Sequence, residues 1–162
     1  MNEPPRPRRR PLRAPAYDYS GPGAYFITIV TQDRACLFGA IVDDTFLPTP
    51  VSDAVSRVWR ELPSRFPAVE LDHFIIMPNH VHGLLWIADV SEPQRESLGA
   101  IIGAFKSLAP REVNAMLKRK GSLWQRNYYE RVVRNEAELN AIRRYIDENP
   151  LRWALDAENP NR

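Results

Sequence analysis

Cysteines and long apolar runs are scarce in this chain. Cys36 is the only cysteine among 162 residues, which excludes an internal disulfide and a cysteine-rich zinc site. No apolar run approaches the roughly 18 residues of a membrane span. The basic N-terminus is not followed by the apolar segment of a secretory signal. We therefore expect a cytoplasmic protein, and the length and 44% hydrophobic content predict one compact domain.

The chain also has little excess of either charge, because its formal net charge is only +2. The basic residues are nevertheless segregated. Residues 1–15 have a net charge of +4, and residues 104–134 have eight Lys or Arg against two Glu. Such a distribution gives a basic surface on a near-neutral protein, which favours a polyanionic partner such as nucleic acid. The alternative is a basic face that is simply solvated.

Apolar periodicity and turn residues give the expected order of elements. Residues 1–16 hold five prolines and five arginines with little to bury, and they are expected to form a disordered basic arm. Residues 17–155 are expected to form the domain and residues 156–162 a flexible tail. The predicted elements are strands at 25–31, 69–76, 81–87 and 129–133, a hairpin or loop over 37–48, and helices over 50–62, 98–119 with a kink or interruption at Pro110, and 135–150.

The order strand, helix, strand, strand, helix, strand predicts an α+β fold. We expect a ferredoxin-like split β-α-β arrangement, with helices on one face of an antiparallel sheet. The last helix is expected at the edge of this sheet.

His80 and His82 are the first candidates for chemistry. They lie two residues apart in a predicted strand, so both imidazoles point to the same face and can converge on one metal ion. The apolar flanks, 74–77 and 84–87, predict a buried strand, where two histidines are costly unless they are satisfied. The alternative is a structural pair bonded to the backbone, and a metal would need a third ligand.

Tyr145 and Asn149 lie four residues apart in the last predicted helix, and hence on one face. They border its apolar stripe of Leu139, Ile142 and Ile146. A tyrosine can act as a nucleophile, and a metal can polarise the phosphate that it attacks. The alternatives are an ordinary residue at the rim of the helix for Tyr145 and a helix C-cap for Asn149.

Aromatic and basic residues alternate near the C-terminal end. Aromatic faces stack on unpaired bases, and arginines hold phosphates. Trp124 and Trp153 are expected to pack in the core. The residues predicted to contact DNA are Arg8, Arg9, Arg10, Lys106, Arg126, Arg131, Arg134 and Arg152.

Several segments together resemble one known family. They are YFITIVTQDRACLFG, FIIMPNHVHGLLWI, FKS and LWQRNYYERVVRNEAELNAIRRYIDENPLRW, which span roughly residues 17–153. They are similar to the REP-associated tyrosine transposases, a branch of the single-tyrosine transposases in the HUH endonuclease superfamily. MPNHVHGLLW followed at this distance by YIDENP is far more specific than a lone pair of histidines.

The resemblance implies a nuclease that nicks and rejoins single-stranded DNA near repetitive hairpins and acts at the nucleoid. His80 and His82 would be metal ligands, Asn149 the third ligand and Tyr145 the nucleophile, which forms a 5′-phosphotyrosine. The metal would be Mg²⁺ or Mn²⁺, although imidazoles also suit zinc. The last helix would then be catalytic. Tyr128 and Tyr129 are rival tyrosines, and the oligomeric state stays open between homodimer and monomer.

Other functions fit less well. A domesticated relative that binds hairpins without cutting them is the main alternative, although the histidines and Tyr145 are present. A histidine-triad nucleotide hydrolase would need a third histidine at position 84, which is Leu84 here. A two-histidine phosphoesterase would need a second HxT or HxS motif, and the chain has none.

Overall fold

The computed structural model describes residues 21–90 and 96–162, so the predicted arm over residues 1–16 lies outside the described part. Its strands are β1 (Gly23–Val30), β2 (Gly39–Val42), β3 (Thr45–Pro48), β4 (Val69–Met77), β5 (His80–Ile87) and β6 (Tyr129–Val133). Its helices are α1 (Pro50–Arg60), α2 (Leu62–Arg65), α3 (Leu98–Leu117) and α4 (Glu136–Asp147), with 3₁₀ helices at Gln32–Arg34 and Asn149–Leu155.

Four strands form the main sheet in the order β4-β5-β1-β6, with every neighbouring pair antiparallel. The chain leaves β1, passes through the β2–β3 hairpin, α1 and α2, and enters β4, which lies two places from β1 in the sheet. β5 then fills the gap between them. This is the split β-α-β arrangement, so the predicted α+β ferredoxin-like fold is confirmed.

The sheet separates two apolar clusters because side chains alternate along each strand. On one face, Tyr25, Ile27 and Ile29 of β1 are buried with apolar residues of α1 and α3 in the larger core. On the other face, Phe26 of β1 and Leu84 of β5 pack with α4. Each central strand is therefore buried on both sides.

Helix α4 does not lie at the edge of the sheet, where the sequence placed it. Its apolar residues Leu139, Ile142 and Ile146 pack on Phe26 and Leu84, so the helix covers the second face. Periodicity identifies the apolar stripe of a helix but not the surface that receives it, which is why the position was wrong.

An acidic residue at a strand irregularity attaches α4 to the sheet. The register of β4 against β5 shifts between Leu71 and Phe74, and Asp72 lies in this bulge. Asp72 accepts hydrogen bonds from Arg143 Nε of α4 and Trp86 Nε1 of β5, both at 3.0 Å. Burial raises the pKa of Asp72, but the bonds from Arg143, Trp86 and His73 outweigh it and hold this pKa well below its ordinary value.

Two features differ in detail from the predicted elements. Helix α3 continues through Pro110, although a proline removes one backbone hydrogen bond. At the start of α4, Asn135 accepts from the Glu138 amide, while the Glu138 carboxylate accepts from the Arg134 amide, one residue before the cap, rather than from the cap itself as in a capping box. No helix in the described ranges is both long and apolar enough to cross a membrane.

Gly83 on β5 lies in close contact with Trp59 of α1. A Cβ at this position would lie 2.5 Å from Cη2 of Trp59. The Trp59 ring cannot retreat easily, because it stacks on Phe74 at 4.7 Å and packs edge-on against Phe105 at 5.3 Å. The absence of a side chain at Gly83 therefore sets the distance between β5 and α1.

We predict that Gly83→Ala lowers the free energy of unfolding by about 1–3 kcal/mol, because overpacking forces a buried ring out of place. Urea denaturation measures this change. Gly103→Ala is the control, since Gly103 lies in α3 with nothing within 4 Å of an added Cβ. It should gain about 0.5–1 kcal/mol, because alanine is the better helix former. A Gly83→Ala variant as stable as the wild type would contradict the prediction.

Candidate metal and nucleophile site

His80 and His82 lie on the face of β5 that α4 covers, as their spacing predicted. His82 lies opposite Thr28 of β1 and His80 opposite Val30. Both histidines are almost fully buried, with exposed fractions of 0% and 1%. A buried imidazole must find partners for its nitrogens within the protein, so their hydrogen bonds define the site.

The Nδ1 atom of each histidine makes a hydrogen bond, and the two Nε2 atoms face each other. His82 Nδ1 lies 2.7 Å from Thr28 Oγ1, and His80 Nδ1 lies 2.9 Å from Asn79 Oδ1. The two Nε2 atoms are 3.2 Å apart. A hydrogen bond at one ring nitrogen orients the other for a ligand, which is the usual arrangement behind a metal-binding histidine.

Asn79 also determines which nitrogen of His80 carries the proton. Its Nδ2 donates to the backbone carbonyls of Arg34 at 3.1 Å and Glu158 at 2.7 Å. These two bonds orient the amide so that Oδ1 faces His80. Because a carbonyl oxygen only accepts, His80 Nδ1 holds the proton and Nε2 presents a lone pair.

Both imidazoles are neutral at physiological pH. Burial lowers the pKa of His80 to about 3, and Asn149 opposes that shift only in part. Burial and the neighbouring His80 hold the pKa of His82 well below its usual range, against smaller opposing effects of Asp156 and Asn149. Neutral imidazoles are the form that binds a metal ion, and here no proton competes with it.

Tyr145 and Asn149 meet this pair from α4 and the 3₁₀ helix that follows it. The Tyr145 ring packs edge-on against His82, with centroids 5.3 Å apart, and is 7% exposed. Asn149 begins the 3₁₀ helix, is 1% exposed, and donates from Nδ2 to the Tyr145 carbonyl at 3.1 Å. The structure therefore brings all four predicted residues together.

The Oδ1 atom of Asn149 is buried beside the histidines and makes no hydrogen bond within the described residues. It is close enough to favour the protonated form of both imidazoles. A buried carbonyl oxygen without a donor is unfavourable unless a cation or water completes it. Two imidazole nitrogens and this oxygen therefore fit a divalent metal ion.

Two residues lie near His80 that the sequence did not place there: Trp153 was expected in the core, and Asp156 was not predicted to be near the site. Trp153, expected in the core, is half-buried and stacks near His80 with centroids 6.1 Å apart. Asp156 Oδ2 lies 3.6 Å from His80 Nε2, and ligand atoms of His80, His82 and Asp156 all lie within 4.8 Å of one another. No periodic pattern extends to Asp156, so the sequence offered no signal for it.

Residues 156–162, predicted as a flexible tail, also contact the site. Glu158 is 6% exposed and its carboxylate pairs with Arg34 Nε at 2.9 Å. Its carbonyl accepts from Asn79, which orients His80. These bonds explain why the segment packs against the domain.

The predicted DNA-binding residues differ in what their charges contact. Arg126 and Arg134 are exposed. Arg131 pairs with Glu138, and Arg152 pairs with Glu148 at 2.8 Å. Arg8, Arg9 and Arg10 lie outside the described residues.

Lys106 is half-buried and its ammonium is engaged internally. Nζ donates to the carbonyls of Gln125 at 2.8 Å and Arg126 at 3.1 Å, and burial lowers the pKa of this lysine. Together with Arg126 and Tyr128 it lines a cavity of 480 Å³. Lys106 therefore holds the segment that carries Arg126.

The rival tyrosines lie on opposite faces of the sheet. Tyr129 is paired with Thr28 and packs on Phe26 with centroids 6.1 Å apart, so it shares the face of the histidines. Tyr128 lies 5.7 Å from Lys106 Nζ, beside the cavity. Tyr129 is therefore the relevant comparison for Tyr145.

Comparison with known proteins identifies the family of this chain. The sequence model of the IS200-like transposases matches residues 27–149. A Haemophilus influenzae protein without a functional name is 33% identical over 91% of this chain and 91% of its own. A second protein from that organism, provisionally named a REP-associated tyrosine transposase, is 24% identical over 83% of this chain and 74% of its own.

Two solved structures share the fold. One is a REP-associated tyrosine transposase bound to a REP hairpin, with a TM-score of 0.65 and 15% identity over 88% of this chain and 73% of that one. The other, provisionally named a transposase from Deinococcus radiodurans, has a TM-score of 0.51 and 22% identity over 85% of this chain and 95% of that one. The family match covers both histidines, Tyr145 and Asn149, and the resemblance seen in the sequence is confirmed: this chain belongs to the IS200-like transposase family.

Proposed function

We propose that this transposase is a metal-dependent endonuclease and strand transferase for single-stranded DNA, which works through a covalent link to Tyr145. The observation that carries the proposal is the convergence of two neutral imidazoles and the orphaned Asn149 Oδ1 beside the Tyr145 ring. A solved structural neighbour is bound to a REP hairpin, which supports DNA near repetitive hairpins as the substrate.

His80, His82 and Asn149 would hold the metal, and Mg²⁺ or Mn²⁺ suits the chemistry. Three neutral ligands leave positions for phosphate oxygens and water around a hard cation. When bound, the ion polarises the scissile phosphate and stabilises the departing oxygen. The hydrogen bonds of His82 with Thr28 and of His80 with Asn79 keep both imidazoles aimed at one point, so the protein is arranged for the ion in advance.

Tyr145 would provide the nucleophile. Its phenol oxygen attacks the phosphorus and releases its proton to solvent. The bond between phosphorus and the 3′ oxygen breaks, and that oxygen takes up a proton from solvent and leaves as a 3′ hydroxyl. The DNA is then joined to Tyr145 through its 5′ phosphate. Attack by a 3′ hydroxyl on this phosphotyrosine reforms a phosphodiester and returns the phenol, so no other energy source is required.

The basic residues would hold the strand. Arg126 and Arg134 are exposed and can contact phosphates directly. Arg152 would exchange the exposed Glu148 carboxylate for a phosphate, which costs little because exposed ion pairs are weak. Arg131 would contact phosphate from its place beside Glu138, whose side chain is only 15% exposed. Lys106 would act by fixing the backbone that carries Arg126. Arg8, Arg9 and Arg10 would also contact the DNA.

We expect Tyr145→Phe to abolish the covalent adduct with a labelled single-stranded hairpin oligonucleotide, because the attacking oxygen is removed while the ring packing on His82 is retained. Denaturing gel electrophoresis detects the adduct. Tyr129→Phe is the matched control, since it removes a hydroxyl on the same face of the sheet, and it should still form the adduct.

Adduct formation by Tyr145→Phe would overturn the assignment of the nucleophile. If only Tyr129→Phe lost the adduct, the rival tyrosine would be the nucleophile. If the wild type bound the hairpin but cut nothing with Mg²⁺ or Mn²⁺, the protein would be a binding module.

Removal of metal should stop cleavage. EDTA should abolish nicking, Mg²⁺ or Mn²⁺ should restore it, and His82→Ala should lower the nicking rate by about 100-fold or more through loss of a ligand. His73→Asn is the control, because His73 lies in the β4 bulge against Asp72 and should leave the rate unchanged. Equal rates for His82→Ala and the wild type would contradict the metal site.

Acid should destabilise the metal-free protein. The folded-state pKa of His80 lies below its unfolded value of about 6.5, so the unfolded chain binds more protons as the pH falls and the stability is lost. Between pH 7 and pH 5, His80 alone should cost about 2 kcal/mol. Urea denaturation in EDTA at several pH values measures the slope, which His80→Asn should reduce. An unchanged slope would show that His80 does not titrate in this way.

A further inference from the structure

We propose that Asp156 supplies a fourth ligand, a carboxylate oxygen, to the metal ion that His80, His82 and Asn149 would hold. This inference rests on the proposed metal site. It adds a residue that the sequence resemblance did not include, from a segment that was expected to be a flexible tail.

The position of the carboxylate supports this role. Asp156 Oδ2 is 3.6 Å from His80 Nε2, the nitrogen whose lone pair faces the site. A separation of 3–4 Å is what two ligand atoms about 2.1 Å from the same ion require. The side chain is only 12% exposed, so the carboxylate is directed inward rather than into solvent.

The two oxygens of Asp156 have separate tasks. Oδ1 accepts from the Glu158 amide at 2.8 Å, which fixes the rotation of the carboxylate. The backbone amide of Asp156 donates to the Trp153 carbonyl at 3.0 Å, which anchors the residue to the end of the 3₁₀ helix. With Oδ1 occupied in this way, Oδ2 is left to face the imidazoles.

The segment around Asp156 is attached to the residue that orients His80. Asn79 donates to the Glu158 carbonyl and accepts from His80 Nδ1, so one amide positions both the imidazole and the turn after Asp156. The pair of Glu158 with Arg34 holds the same turn from the other side. The carboxylate is therefore placed by the same hydrogen bonds that place the metal-binding nitrogen.

Charge gives this carboxylate a clear effect. Two neutral imidazoles and an amide carry no negative charge, so they bind Mg²⁺ or Mn²⁺ weakly. One buried carboxylate offsets half of the charge of a divalent ion, and the charge count of the ligands is a main determinant of affinity for hard cations. Asp156 should therefore set the affinity, while the histidines and Asn149 set the position.

The test is the affinity of the metal-free, full-length chain for Mn²⁺, measured by isothermal titration calorimetry. Asp156→Asn keeps an oxygen but loses the charge, and should bind about tenfold or more weakly than the wild type. Asp156→Ala loses both and should bind more weakly still. Asp147→Asn is the matched control, because it makes the same change at an exposed carboxylate at the end of α4 and should match the wild type.

Thermal melting in EDTA checks that each variant is folded, and the rise of its melting temperature with added Mn²⁺ gives a second measure of binding. If Asp156→Asn and Asp156→Ala bind Mn²⁺ as tightly as the wild type while His82→Ala does not bind, Asp156 is not a ligand and the proposed function stands. If His82→Ala also binds as the wild type does, or the wild type binds no Mn²⁺, both proposals fail.

Discussion

Two imidazole nitrogens facing each other across 3.2 Å, with no exposure to solvent, are the constraint on which the rest of this structure depends. The two rings cannot both be positively charged at once, because two buried positive charges at this distance would repel strongly. At most one of the two rings can therefore be charged, and each Nδ1 atom needs a hydrogen-bond partner within the protein. Thr28 on the neighbouring strand and Asn79 at the turn meet this requirement, so the register of β1 against β5 and the geometry of the turn both serve the histidine pair.

The alternation of side chains along β1 and β5 divides the molecule into a supporting face and a working face. On the supporting face, Ile27 and its neighbours join a large core with α1 and α3, which gives the strands a rigid base. On the working face, Phe26 belongs to a smaller apolar cluster and its ring also stacks on His82. His80 and His82 lie on a central strand rather than on a loop, so the sheet fixes the positions of both rings, as the proposed metal site requires.

The sequence predicted the parts of this arrangement that depend on periodicity. His80 and His82, two residues apart on a strand, lie on one face as predicted. Tyr145 and Asn149, four residues apart, lie side by side as predicted. Periodicity could not reveal that Thr28 lies opposite His82, since register depends on contacts between distant segments.

Asn79 illustrates the same limit in a turn. Its side-chain amide donates hydrogen bonds to residues that are 45 and 79 positions away in the chain, which no local pattern predicts. Asp156 follows a 3₁₀ helix, where no repeating pattern indicates which way a side chain faces. In each case the sequence could not predict a tertiary contact, because such a contact does not depend on local structure.

The contact of Gly83 with Trp59 extends the meaning of the histidine motif. The residue that follows His82 points to the supporting face, where the indole of α1 occupies the space of a side chain. A larger residue at position 83 is therefore compatible with this fold only when position 59 becomes smaller, and the two positions should covary among relatives. The constraint on this motif therefore extends beyond the two histidines: it includes a glycine whose identity is dictated by a tryptophan 24 residues earlier in the chain, on the face of the sheet opposite the histidines.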